Sequence, residues 1–159
     1  MLEALGNAGD FIGGLAVIVT LIYLAAQIRQ NTQMLRRTTE ESVSSGAATT
    51  IGLPAQSPEN AAVFYRGLVD PDTMPPGERT HFYLLIANLF VVFDEAHEAH
   101  ADGLLSDHRW TRQRNAMRVY AAFPGVRSWW NFAGRSTFGP DSEFSRLVES
   151  ELQRNEPAG

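Results

Sequence analysis

Two dense apolar runs stand out from an otherwise polar chain. The first, Phe11 to Ile28, holds 18 consecutive uncharged residues between Asp10 and Arg29. As a helix it is about 27 Å long at 1.5 Å per residue, close to a bilayer hydrocarbon core of roughly 30 Å. It lacks the polar face that a helix half-buried in a soluble core normally keeps. A secretory signal needs a basic leading flank and small residues at a cleavage site. Here the leading flank carries Glu3 and Asp10 and no Arg, and the exit reads Leu24-Ala25-Ala26-Gln27. The pattern predicts a membrane anchor over residues 1–36, spanning at about 11–28. The second run, Phe82 to Phe93, has 12 residues, or about 18 Å of helix. That is too short to cross a bilayer and predicts the central helix of a bundle, buried on most sides.

The remaining pattern is helical throughout. "QIRQNTQMLRRTTEESVSS" extends the first helix towards Gly46 or Ile51, with residues 37–57 either a helix extension or, given the Ser, Thr and Gly of 43–52, a flexible linker. Ser57-Pro58-Glu59 supplies an N-cap, a proline at the first helical position and an acid in the first turn, predicting a helix over 58–69. The central helix ends at Gly103 as a C′ glycine. Ser106 caps a helix over 107–122 that Pro124-Gly125 stops. A short helix carries "VRSWWNF", and a last one over about 142–153 is capped by Asp141. No segment alternates with period 2. The fold class is all-α: an N-terminal transmembrane helix extending into a small cytoplasmic helical bundle of residues 58–159.

Charge sets the orientation. Arg29, Arg36 and Arg37 follow the span and form a membrane-surface set, and no Arg precedes it. The positive-inside bias places the N-terminus outside and the remainder in the cytoplasm of a bacterial inner membrane. Along the anchor, Gly6, Gly9, Gly13, Ala16, Thr20, Tyr23, Gln27, Gln30 and Met34 recur at alternating spacings of three and four, one seam of a helix. The seam is small, then polar, while Ile12, Leu15, Val19 and Ile22 lie off it. Gly9 and Gly13 form the G-x-x-x-G that lets backbones approach closely in lipid. The seam predicts association with other transmembrane helices, copies of itself or another protein's; chance enrichment in Gly and Ala is the alternative. With Asn7 and Asp10 at the outer end, Asp10 either caps the helix start or, in a ring of copies, lines a wet path with Thr20, Gln27 and Asn31.

Composition removes several chemistries. The chain has no Cys, which excludes disulfides and thiolate metal sites, and no Lys, which excludes a phosphate-binding G-x-x-x-x-G-K-[ST] loop beside the "DEAH" of residues 94–97. Net charge is −5, with no Arg-rich tail, arguing against nucleic-acid partners. Asp94, His97 and His100 share roughly one helix face and form a candidate metal site, since Asp94-x-x-His97 matches the carboxylate-x-x-His pairs of di-iron bundles. No second pair completes it, and no cofactor is otherwise implied. Arg109, Arg112, Arg114, Arg118 and Arg127 either face anionic lipid or RNA, or pair with the acids of residues 94–107. Trp129, Trp130 and Phe132 enter the core or a subunit contact, or dock at the membrane interface. Asn88, within the second apolar run, needs a hydrogen-bond partner if buried.

"LIYLAAQIRQNT", "GLLSDHRW" and "PGVRSWWNF…EFSRLVE" together resemble a family of small bacterial single-pass proteins without an assigned activity. These have a hydrophobic N-terminal helix ending in a Y-L-A-x-Q-I-R-Q-N-T-like stretch and a helical domain with a P-G-V-x-x-W/F-W signature. The resemblance covers most of the chain, poorest at 43–57. It implies the architecture and brings no catalytic residues. With no nucleophile elbow or dinucleotide turn, the chain reads as a non-enzymatic accessory or structural subunit of a membrane assembly, partnered by lipid and other transmembrane helices. A homo-oligomeric pore and a metal- or ligand-sensing domain are the alternatives.

Overall fold

The structure, a computed structural model, describes residues 2–154, with side chains from residue 13 onward. Every regular element among the described residues is helical: α1 (Leu2–Gly52), α2 (Pro58–Val69), α3 (Pro76–Ala101), α4 (Asp107–Ala121), α5 (Pro124–Trp129), α6 (Arg135–Thr137) and α7 (Glu143–Arg154). Short 3-10 turns, Pro54–Gln56 and Pro71–Thr73, flank α2, and a π-helical stretch, Trp130–Gly134, carries α5 into α6. The chain divides into two compact units, residues 1–38 and 39–159. The first is the leading part of α1. By length and composition α1 is able to cross a membrane, and none of its apolar window is buried.

The second unit starts at Thr39, well before the boundary at residue 58 read from the sequence. Residues 43–52 are helix rather than flexible linker. Their apolar positions explain this: Val43 and Ala47 are buried, and Val43 joins Ala96, Ala99 and Leu105 in a small cluster covered by Trp110. That burial outweighs the weak helix propensity of the Ser, Thr and Gly around it.

Local signals set most of the other ends. Ser57 Oγ accepts the Asn60 N–H at 3.1 Å, with Pro58 as the first residue of α2. Gly103 closes α3 with φ +69°, a left-handed conformation that glycine adopts freely. Two expected caps differ. Ser106 sits at the N-cap of α4 but makes no side-chain cap bond. At α7 the cap is Ser142, whose Oγ accepts the Ser145 N–H at 3.0 Å. Asp141 lies one residue too early to reach that amide.

The main core is aromatic. Phe82, Ile86, Phe90 and Phe93 of α3 meet Met117, Val126, Trp129, Trp130, Phe144 and Val148. Trp129 packs on Phe90 with centroids 4.8 Å apart, and Trp130 stacks on Phe138 at 6.0 Å. Both tryptophans are almost fully buried, at 1% and 2% exposed, whereas Phe132 is 75% exposed. The central helix keeps one open stripe, Leu84, Asn88, Val91 and Glu95. The run of residues 82–93 is thus buried on most sides, as its pattern predicts, and Asn88 lies on the open stripe, faces solvent and needs no internal partner.

Two glycines set how closely α2 approaches its neighbours, Gly125 against α5 and Gly67 against α3. A Cβ on Gly125 would fall on the carbonyl oxygen of Gly67, and a Cβ on Gly67 would fall on the Phe82 ring. The "PGV" stretch thus has a physical reading: Pro124 starts α5, Gly125 admits the α2 backbone, and Val126 is buried. Gly125→Ala is expected to destabilise the chain by about 3 kcal/mol, the upper range for forced overpacking. Gly77→Ala, where nothing lies within 4 Å of an added Cβ, is expected to be neutral or stabilising by up to about 1 kcal/mol. Denaturant unfolding of both variants in mild detergent checks the contrast.

Candidate association surface and polar clusters

On the anchor, the described seam residues Gly13, Ala16, Thr20, Tyr23, Gln27, Gln30 and Met34 are all exposed. The sequence readings on Gly6, Asn7, Gly9, Asp10 and Ile12 concern side chains outside those described. Thr20 donates to the Ala16 carbonyl at 2.8 Å, and Gln27 Nε2 donates to the Tyr23 hydroxyl at 2.9 Å. Thr32 and Thr38 likewise donate to the Ile28 and Met34 carbonyls at 2.9 and 3.1 Å. Such internal bonds reduce the cost of a polar side chain in an apolar medium. A Cβ on Gly13 would meet nothing within 4 Å. Beside this low seam stand the bulky Leu15, Val19 and Ile22, 53, 59 and 65% exposed. Arg29, Arg36 and Arg37 follow the apolar stretch, exposed and without ion pairs among the described residues.

The histidine end of α3 is organised by aromatic contacts. His97 lies between Trp110 at 5.5 Å and Phe144 at 6.0 Å. His100 stacks on Trp110 at 5.5 Å and places Nε2 3.0 Å from Asp107 Oδ1. Asp94 is half-buried; burial, with Glu98 and Glu95 adding and His97 opposing, raises its carboxyl above the ordinary range. No group of three or more His, Asp or Glu side chains able to hold a metal ion is present among the described residues. Asp94, His97 and His100 share a helix without converging on one point, because Trp110 holds both rings and Asp107 draws His100.

Three of the four arginines of α4 find other partners than the acids of residues 94–107, and Arg112 has no ion pair among the described residues. Arg109 pairs with Glu40 of α1 at 3.2 Å, while Arg114 and Arg118 converge on Glu151 of α7 at 2.8 and 2.9 Å. Arg154 adds a contact to Glu151 at 3.5 Å. Arg127 donates to the Leu152 carbonyl at 2.8 Å, satisfying a last-turn acceptor of α7. The face of α4 turned to the core carries Met117 and Ala121, so its cationic flank meets α7 rather than α3. Glu151 is completely buried. The Arg118 hydrogen bond, supported by Arg114 and opposed by burial, holds its carboxyl below the usual range, and Glu151 in turn raises Arg118.

Sequence reasoning missed this carboxylate, although a signal existed. Glu151 shares a helix face with Phe144, Val148 and Leu152, all buried, and an acid on the apolar face of an amphipathic helix demands a cation. No family model, curated protein or solved structure matches this chain. Glu151→Gln is expected to cost about 3 kcal/mol or less, since the freed guanidiniums are 35 and 41% exposed and regain water. A depressed native pKa gives stability that is full above the ordinary glutamate value of about 4.3 and is lost as pH falls through the lower native value. The wild type should lose that increment under acid and Glu151→Gln should not, as read by thermal midpoints across pH 7 to 2.

Proposed function

We propose that the chain is a single-pass protein of a bacterial inner membrane, N-terminus outside and residues 39–159 in the cytoplasm, serving a membrane assembly as a non-catalytic accessory or structural subunit. The observation that carries this reading is the uncovered apolar helix surface of α1, where Leu15, Val17, Ile18, Val19, Leu21 and Ile22 are each more than half exposed. A contiguous patch of that kind calls for lipid or protein around it. Arg29, Arg36 and Arg37 support the orientation.

The seam supports association rather than simple anchorage. Lipid offers no hydrophobic gain for burying one helix against another, so close packing of small residues and hydrogen bonds supply the attraction. Gly13 and Ala16 provide the close approach, and the Gln27 amide retains an acceptor and a donor beyond its bond to Tyr23. The domain then contributes contacts on the cytoplasmic side. Native mass spectrometry of the protein gently extracted from its own membranes tests the reading. Co-release at fixed ratio with other membrane chains is expected, and loss of that ratio in a Gly13→Leu, Ala16→Leu double variant. A lone monomer in the wild type would contradict it.

A further inference from the structure

We infer that the domain of residues 39–159 binds a small organic acid with a flat apolar body, in the open groove between the start of α3 and the α5–π segment. The groove has a volume of about 340 Å³ and is lined by Pro76, Arg79, Thr80, Tyr83, Ser128 and Phe132. That size lies in the range of small-molecule sites, roughly 300–1,000 Å³.

Its three chemical parts complement one ligand class. The rings of Tyr83 and Phe132 lie 5.4 Å apart, tilted by 39°, and offer flat apolar faces. Phe132 is 75% exposed at this rim, while its neighbours Trp129 and Trp130 are buried. A phenyl ring held in water beside a second ring gains most by covering with a flat apolar group.

The second part is Arg79, half-buried and without an acidic partner among the described residues. The adjacent Glu78 is already taken by Arg66 at 2.6 Å. An unpaired guanidinium at an aromatic groove favours a carboxylate, which it binds through two parallel N–H donors. The third part is the hydroxyl pair Tyr83–Ser128, 3.0 Å apart. One hydroxyl donates to the other, leaving the second free to donate to a ligand oxygen. A planar acid thus lays its body on Phe132 and Tyr83 and its carboxylate on Arg79.

Equilibrium dialysis of naphthoate against the full chain in phosphatidylcholine nanodiscs, with empty nanodiscs subtracted, tests the inference. Saturable uptake of one naphthoate per chain is expected. Arg79→Gln should weaken it about tenfold or more, the worth of a charge-assisted hydrogen bond, while Arg79→Lys retains part of it. Phe132→Ala should weaken it too, and uncharged naphthamide should not distinguish wild type from Arg79→Gln. Neither side chain belongs to the core, so the thermal midpoints should stay at the wild-type value and lost binding reports the groove. Uptake no greater than that of empty nanodiscs, or equal in wild type, Arg79→Gln and Phe132→Ala, would overturn the inference.

Discussion

The folded domain rests on the contact between α2 and α5, where the backbone at Gly67 meets the backbone at Gly125 with no room for a side chain on either. This approach fixes where α5 begins to lie against the core. From there Val126, Trp129 and Trp130 enter the space beside Phe82 and Phe90 of α3. Buried aromatic side chains each remove about 150–250 Å² from water, more than any aliphatic neighbour. Their ring geometry is specific only if the helices carrying them are held close. The Gly67–Gly125 crossing therefore acts through the whole core and not through its own few atoms.

A second constraint ties α7 to the same body. Its apolar face brings Glu151 inside, and the carboxylate is tolerated because Arg114 and Arg118 reach it with hydrogen bonds. A buried ionic contact of this type adds little net stability over an apolar replacement, yet breaking it is costly. Its effect is to specify how α4 and α7 are placed. The Arg127 bond to the Leu152 carbonyl works in the same direction, so the last helix is held at its side and at its end.

Much of this architecture was readable from residue order. Apolar periodicity, Ser57-Pro58 and Gly103 gave the helices and several of their limits, because these signals act within one turn. What escaped depends on partners far along the chain. The continuation of the first helix to Gly46 or Ile51 was readable, but not the burial of Val43 against Ala96 and Leu105 that favours helix over linker. Asn88 proved to face solvent because the side of α3 that stays open depends on how the neighbouring helices pack. The arginines of α4 were matched to the nearest acids in sequence, whereas their main partner lies on α7, more than 30 residues away. The seam of the anchor was legible as a pattern, but every described residue from 13 to 38 is exposed, on the seam and off it. Periodicity does not say what that surface meets.

The functional account rests on whether residues 11–28 cross a membrane in the proposed direction. The chain contains no Cys, so single-cysteine variants report their own positions without background. Ala4→Cys and Gln153→Cys, each treated with a membrane-impermeant maleimide in spheroplasts and again after lysis, give the most direct measurement. The account predicts labelling of Ala4→Cys in both conditions and of Gln153→Cys only after lysis. Equal labelling of both before lysis, protection of Ala4→Cys until lysis, or recovery of the protein in the soluble fraction would contradict it.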